Sequence, residues 1–304
     1  MRKKVQKKII IGTRGSALAL IQTDIVGKTL VAADPSLTIE VRVITTHGDI
    51  NQKPIPLDTV GKGWFTKEIE SALLEGTIDL AVHSLKDMAE DMPDGLMIGA
   101  YLPREDARDA LITKRGESLE KLKRGAVVGT DSARRQIQMR ALRPDVQMKS
   151  LRGNVQKRLE KLSSEPYDAI ILAAAGLKRL GSADRITRYF DFNEMTPSPG
   201  QGILAVQVRK NDSTLRKFLK TASDSDAALA ARTERSFSRM MGGGCKSPTG
   251  AYASPDGKGW RLIGMTEDAD GKILRDEMRA SKKEAAKLGE KLAKKMLRAR
   301  KRHA

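Results

Sequence analysis

Lys8-Ile9-Ile10-Ile11-Gly12-Thr13-Arg14-Gly15-Ser16 begins as an apolar, β-branched run and ends on a cation and a glycine between two hydroxyls. A short apolar run closed by glycine and polar residues reads as a buried strand, here near 8–12. Apolar residues at helical spacing then cover 16–32, and a β-branched stretch at 38–45 completes a strand-helix-strand unit. The alternation continues through two thirds of the chain. Strands are expected near 78–83, 96–101, 125–129, 145–150, 168–174 and 202–208, with helices at 64–75, 133–142, 154–163 and 214–221. Such alternation specifies an α/β chain with mainly parallel sheets.

Proline and glycine cluster at Pro103-Arg104-Glu105-Asp106 and at Thr196-Pro197-Ser198-Pro199-Gly200-Gln201-Gly202, between periodic segments. These read as two crossings between lobes: 1–103 with the returning 202–221 in one lobe, 104–196 in the other. From 224 the pattern changes to a helix at 225–240, a glycine-rich loop, strands at 250–254, 259–266 and 272–280, and a terminal helix, so 224–304 is expected to be a small C-terminal α+β domain. Ala285, Leu288, Leu292 and Met296 give that last helix an apolar stripe.

A chain of 304 residues with 39% hydrophobic content suits two or three packed domains. Its 4% aromatic content argues against a base-stacking surface. The formal charge of +18 sits mostly at the ends: residues 1–10 contribute +5 and residues 282–304 contribute +8. A charge so placed is expected to be a solvated appendage, with no specific nucleic-acid partner. The longest apolar runs fall far short of a membrane span, and a single cysteine without an export signal points to a cytoplasmic protein. His47, His83 and His303 share no metal-ligand spacing with each other or with Cys245, so no metal is expected, and no nucleotide-binding glycine fingerprint occurs.

Ligands of doubly wound sheets gather beyond the carboxyl ends of strands, and here those ends are alike. They are Thr13-Arg14-Gly15-Ser16, His83-Ser84-Leu85-Lys86-Asp87, Gly129-Thr130-Asp131-Ser132-Ala133-Arg134-Arg135, Leu151-Arg152-Gly153-Asn154 with Arg158 one turn on, and Gly176-Leu177-Lys178-Arg179. Each sets a cation, usually with a hydroxyl or glycine, where a helix begins, which suits carboxylates or phosphates. The expected ligand is a polyanion. Asp87 is the exception in sign: among cations it stays ionised and suits stabilising a developing positive charge, or else a structural ion pair. Cys245, in Gly242-Gly243-Gly244-Cys245-Lys246-Ser247-Pro248, is either an accessible thiolate on flexible backbone or an ordinary loop cysteine.

Taken in order, these pieces resemble the hydroxymethylbilane synthase family, also called porphobilinogen deaminase. The resemblance rests on Gly12-Thr13-Arg14-Gly15-Ser16-Ala17-Leu18-Ala19, Gly61-Lys62-Gly63-Trp64-Phe65-Thr66-Lys67-Glu68, Asp79-Leu80-Ala81-Val82-His83-Ser84-Leu85-Lys86-Asp87, Arg134-Arg135-Gln136 and Leu151-Arg152-Gly153-Asn154-Val155. It continues in Ala174-Ala175-Gly176-Leu177-Lys178-Arg179-Leu180, Pro199-Gly200-Gln201-Gly202 and Gly243-Gly244-Cys245 with Pro248-Thr249-Gly250. The resemblance implies two lobes of periplasmic-binding type and a third domain whose Cys245 holds a dipyrromethane by a thioether. That cofactor primes the head-to-tail joining of four porphobilinogen molecules, with loss of ammonia, into a linear tetrapyrrole. It further implies that Asp87 is the catalytic carboxylate, and that Cys245, Lys86, Ser84, Thr130, Ser132, Arg134, Arg135, Arg152 and Gly153 hold the cofactor. Arg14, Ser16, Arg158, Arg179, Gln201 and Lys62 fall to the substrate, and the enzyme is expected to act as a monomer.

Asp131 departs from the family's usual uncharged small residue, and sets a negative charge among expected carboxylate sites. Asp58-Thr59-Val60, Met88-Ala89, the extra Gly242 and the basic ends are further departures. A non-catalytic anion-binding protein of the periplasmic type would also explain two arginine-lined lobes, but neither Cys245 nor Asp87.

Overall fold

The computed structural model describes residues 7–47, 66–242, 248–268 and 270–302, and elements are numbered among those residues. The chain forms two compact units, one of Met1–Arg104 with Ile203–Ala228, the other of Glu105–Gly202 with Leu229–Ala304.

In the first unit β1 (Lys7–Thr13), α1 (Ala17–Ala33), β2 (Leu37–Val43), α2 (Lys67–Leu74), β3 (Leu80–Ser84) and β4 (Leu96–Tyr101) are joined by β10 (Leu204–Arg209) and α6 (Ser213–Ala222). The strand order is β2-β1-β3-β10-β4. β1 runs parallel to β2 and β3, while β10 is antiparallel to both β3 and β4. Four strands therefore share one direction and the returning strand opposes them. Successive side chains of a strand point to opposite faces. Ile9 and Ile11 thus enter a core with Val26, Leu30, Val82, Val206 and Leu219, while Ile10 packs on the other face beside Ile69, Leu73 and Leu96. With both faces covered, an unbroken apolar run is what a strand here needs.

The second unit repeats the plan. β5 (Asp109–Thr113), β6 (Val127–Gly129), α3 (Ala133–Leu142), β7 (Gln147–Lys149), α4 (Val155–Ser164), β8 (Ala169–Ala173), α5 (Ala174–Arg179) and β9 (Arg188–Tyr189) give the order β7-β6-β8-β5-β9. Again the fourth strand in the order is the reversed one, since β5 is antiparallel to β8 and β9. In each unit the reversed strand directly follows a crossing segment. β5, α5 and β9 were not among the elements expected from periodicity. β9 has only two residues, while β5 directly follows the crossing at 103–106 and α5 directly follows β8, so neither stands out as a separate periodic segment.

α7 (Ser225–Met240) leads to an antiparallel meander of β11 (Gly250–Asp256), β12 (Gly259–Glu267) and β13 (Ile273–Ser281), covered by α8 (Ala285–Arg302). The fold class is as expected: mainly parallel α/β sheets plus a small α+β portion. α8 buries Ala285, Leu288, Leu292 and Met296, the stripe read from the sequence. It also buries Gly289, where a Cβ would lie 2.3 Å from the Thr233 carbonyl oxygen. α7 and α8 touch backbone to backbone there.

These terminal elements belong to the second unit through polar as well as apolar contacts. The buried Glu234 carboxylate accepts from the Gly200 and Ala253 N–H groups, each at 2.7 Å. Arg275 donates to Gln138 Oε1 at 2.9 Å and to Thr196 Oγ1 at 3.1 Å, and Phe192 stacks on Tyr252 with ring centroids 3.6 Å apart.

Candidate active site

In the first unit β3 runs straight into a 3-10 turn, Leu85–Asp87. Leu85 and Met88 are buried on either side, so Lys86 is left half-buried and Asp87 exposed. The turn is fixed by two backbone bonds, Leu85 N–H to Ile203 C=O at 3.0 Å and Met88 N–H to Leu85 C=O at 3.1 Å. Because β1 is the parallel neighbour of β3, Arg14 and Ser16 emerge at the same sheet edge as Lys86 and Asp87. Ser16 caps α1 by accepting from the Ala19 N–H at 3.3 Å. Ser84 is engaged with Gln22, whose amide nitrogen donates to the Ser84 hydroxyl at 2.9 Å.

Behind the turn lies a buried polar chain. Gln207 Nε2 donates to Glu70 Oε1 at 3.0 Å, which leaves Gln207 Oε1 to accept from His83 Nε2 at 3.0 Å. The bond assigns the proton to that ring nitrogen. Burial pushes the His83 pKa down to about 4, so the ring is neutral and fixed in one tautomer.

In the second unit the carboxyl ends of β7, β6 and β8 lie side by side. Thr130, after β6, is buried and works as scaffold: its N–H bonds the Lys149 carbonyl at 2.9 Å and its hydroxyl accepts from the Ser132 N–H at 3.2 Å. Ser132 precedes α3 without capping it. Arg152 pairs with Asp131 at 2.5 Å. Gly153 has φ +114°, a conformation that favours glycine. Its carbonyl accepts from Arg158 Nε at 2.8 Å. Arg179 donates to the Gly202 carbonyl at 2.7 Å, and burial lowers its pKa. Lys62 and Cys245 lie outside the described residues.

Arg134, Arg135 and Gln201, expected on ligand, are almost fully buried and converge on Asp109. Arg134 Nη1 donates to Asp109 Oδ2 at 2.7 Å, and Arg135 donates to Oδ1 through Nε at 3.0 Å and Nη2 at 2.7 Å. Gln201 Nε2 adds a bond to Oδ1 at 3.0 Å. Burial alone would raise the pKa of Asp109, but the two guanidiniums outweigh it and hold the carboxyl below its ordinary range. Asp109 was not picked out from the sequence. Spacing alone does not mark it, since two arginines side by side at a helix start suit a bound carboxylate as well as a buried acid.

Family models match almost the whole chain. One, described as porphobilinogen deaminase, dipyromethane cofactor binding domain, covers residues 9–217, and another, porphobilinogen deaminase, C-terminal domain, covers 228–298. A porphobilinogen deaminase of Roseiflexus castenholzii is 44% identical over 96% of this chain and 97% of its own. One from Syntrophus aciditrophicus is 42% identical over 94% of each chain.

The chain belongs to the porphobilinogen deaminase family.

A Geobacillus kaustophilus member is 44% identical over 90% of this chain and 88% of its own. A more distant likeness is to the substrate-binding domain 2 of Lactococcus lactis GlnP, at 13% identity and TM-score 0.43 over 77% of this chain and 94% of that one. The polar residues of the second unit fit the dipyrromethane that names the family's domain. Arg152 and Ser132 are half-buried donors at adjacent strand ends, a donor set that suits a group rich in carboxylates.

Proposed function

We propose that this porphobilinogen deaminase family member joins porphobilinogen units head to tail, with release of ammonia, into a linear tetrapyrrole, and that Asp87 is its catalytic carboxylate. When bound through the Cys245 sulfur, the dipyrromethane supplies the primer to which units are added. The observation that carries the reading is the exposed Asp87, held between buried Leu85 and Met88 at the sheet edge that also carries Arg14.

A carboxylate on a pinned turn can accept a pyrrole N–H hydrogen bond and stabilise positive charge that develops on the ring as ammonia leaves. It needs no reorganisation to do so. Lys86, beside it, and Arg14 suit the acetate and propionate groups, and orient the ring by them. Arg152, Arg158 and Ser132 hold further carboxylates on the second unit. Arg134, Arg135 and Gln201 support those strand ends from behind, through Asp109. Cys245 contributes the sulfur that carries the primer, and a lone cysteine of this kind suits a cytoplasmic location. We take a monomer to be the acting species. Among the described residues no helix is long and apolar enough to cross a membrane.

The test is turnover of porphobilinogen by the purified chain and by Asp87→Asn. The wild type should release ammonia and form linear tetrapyrrole, and the variant should keep its fold and lose about a hundredfold or more of the rate. A wild type that binds porphobilinogen without consuming it would favour the anion-binding reading. A fully active Asp87→Asn would remove Asp87 from catalysis.

A further inference from the structure

Asp131 stands between Thr130 and Ser132, in the loop from β6 to α3, and reaches across to the loop after β7. Its Oδ2 lies 2.5 Å from Arg152 Nε, and its Oδ1 accepts from the Ser150 hydroxyl. We propose that Asp131 is a built-in carboxylate that occupies Arg152 and must be displaced by a pyrrole carboxylate, so that it sets ligand affinity at this arginine. The proposal rests on the reading of Arg152 as a pyrrole-carboxylate site.

Three observations support displacement over a fixed structural pair. The pair is open to water, with side-chain exposures of 42% for Arg152 and 30% for Asp131. Exposed pairs are weak, worth about two- to fivefold in an equilibrium, and so can be exchanged for a ligand. The backbones on both sides are already fixed without it: Thr130 N–H bonds Lys149 C=O at 2.9 Å, Gln136 Nε2 bonds Thr130 C=O at 2.9 Å, and the Tyr167 hydroxyl bonds Ser150 C=O at 2.5 Å. Only side chains need move. Lastly, a carboxylate bound at Arg152 would meet a second carboxylate at hydrogen-bonding range of the same guanidinium, and like charges so close repel. Removing the charge of Asp131 therefore favours the ligand twice, by freeing the arginine and by abolishing the repulsion.

The experiment compares Asp131→Asn, Asp131→Ser, Arg152→Ala and the Asp131→Asn/Arg152→Ala pair. Two readouts are taken on the full chain: the calorimetric Kd of porphobilinogen for these changes in a Cys245→Ser background, where no tethered dipyrromethane competes for Arg152, and kcat of the cofactor-loaded chains. Both Asp131 variants should bind about two- to fivefold more tightly with kcat unchanged, and the gain should vanish when Arg152 is Ala. Unchanged or weaker binding in the Asp131 variants, with Arg152→Ala weakening binding about tenfold, would overturn the proposal and leave Arg152 as a ligand site. If Arg152→Ala changes nothing in either readout, the reading of Arg152 is itself wrong and the proposal falls with it.

Discussion

Asp109→Asn takes one charge, and almost no volume, from a fully enclosed ionic cluster. Asp109 has no exposure, and the Arg134 and Arg135 side chains keep only 4% and 7% of theirs. With the carboxylate gone, two buried guanidiniums face each other without an anion, and one amide hydrogen-bond donor points at other donors. Breaking a buried ion pair by removing one partner costs about 3–5 kcal/mol, against a total stability of about 5–15 kcal/mol. Hydrogen exchange reads the loss locally: amides of β5 and α3 should lose about two to four orders of magnitude of protection. Turnover should fall with the folded fraction and with the disturbed strand ends. A triple variant, Asp109→Leu with Arg134→Met and Arg135→Met, should cost less stability than Asp109→Asn, since it leaves no uncompensated charge. The reasoning is refuted if Asp109→Asn costs under about 1 kcal/mol, the figure for an exposed pair.

His83 should make the first unit acid-labile. Its folded pKa of about 4 lies below the ordinary 6.5, so the unfolded chain takes up the proton first. The neutral ring's contribution is complete above pH ~6.5 and is lost as pH falls toward 4, in all about 3 kcal/mol. His83→Gln should flatten urea-unfolding stability across that window, and parallel profiles for the two proteins would count against a buried neutral ring. Gly289→Ala should destabilise the packing of α7 on α8 by about 1–3 kcal/mol, because its Cβ would meet the Thr233 carbonyl at 2.3 Å; thermal melts check this. Removing Arg298–Ala304 should leave turnover nearly intact, since the buried stripe ends at Met296. Loss of turnover in a folded truncation would show that the basic end reaches the chemistry.

The long elements were legible because their periods were long enough to see. Ile9–Ile11 announced a strand buried on both faces, and the stripe from Ala285 to Met296 announced the docked face of α8. β5 was hidden by its setting: in Asp109-Ala110-Leu111-Ile112-Thr113 three apolar residues lie between polar ends, just after the crossing at 103–106. Missing β5 concealed the acid beside Arg134 and Arg135, so those cations were read, by strand-end charge and by resemblance, with a ligand only. Sequence spacing could not separate the two cases, because a guanidinium offers the same fork to a buried aspartate as to a bound carboxylate. Asp87 stood out in the sequence by its sign, and the structure adds where it sits. It is an acid among strand-end cations, next to Lys86 and the buried Met88, and it sits exposed in the structure. The reversal of β5 and β10 follows from the crossings, and no residue pattern records strand direction.

Intact mass of the purified chain, set beside that of Cys245→Ser, tests the central claim most directly. The account predicts a wild type heavier than its sequence by one dipyrromethane, with the excess absent in Cys245→Ser along with the turnover. A wild type of unmodified mass that converts porphobilinogen to linear tetrapyrrole, or a Cys245→Ser chain that does so at the full rate, would contradict it.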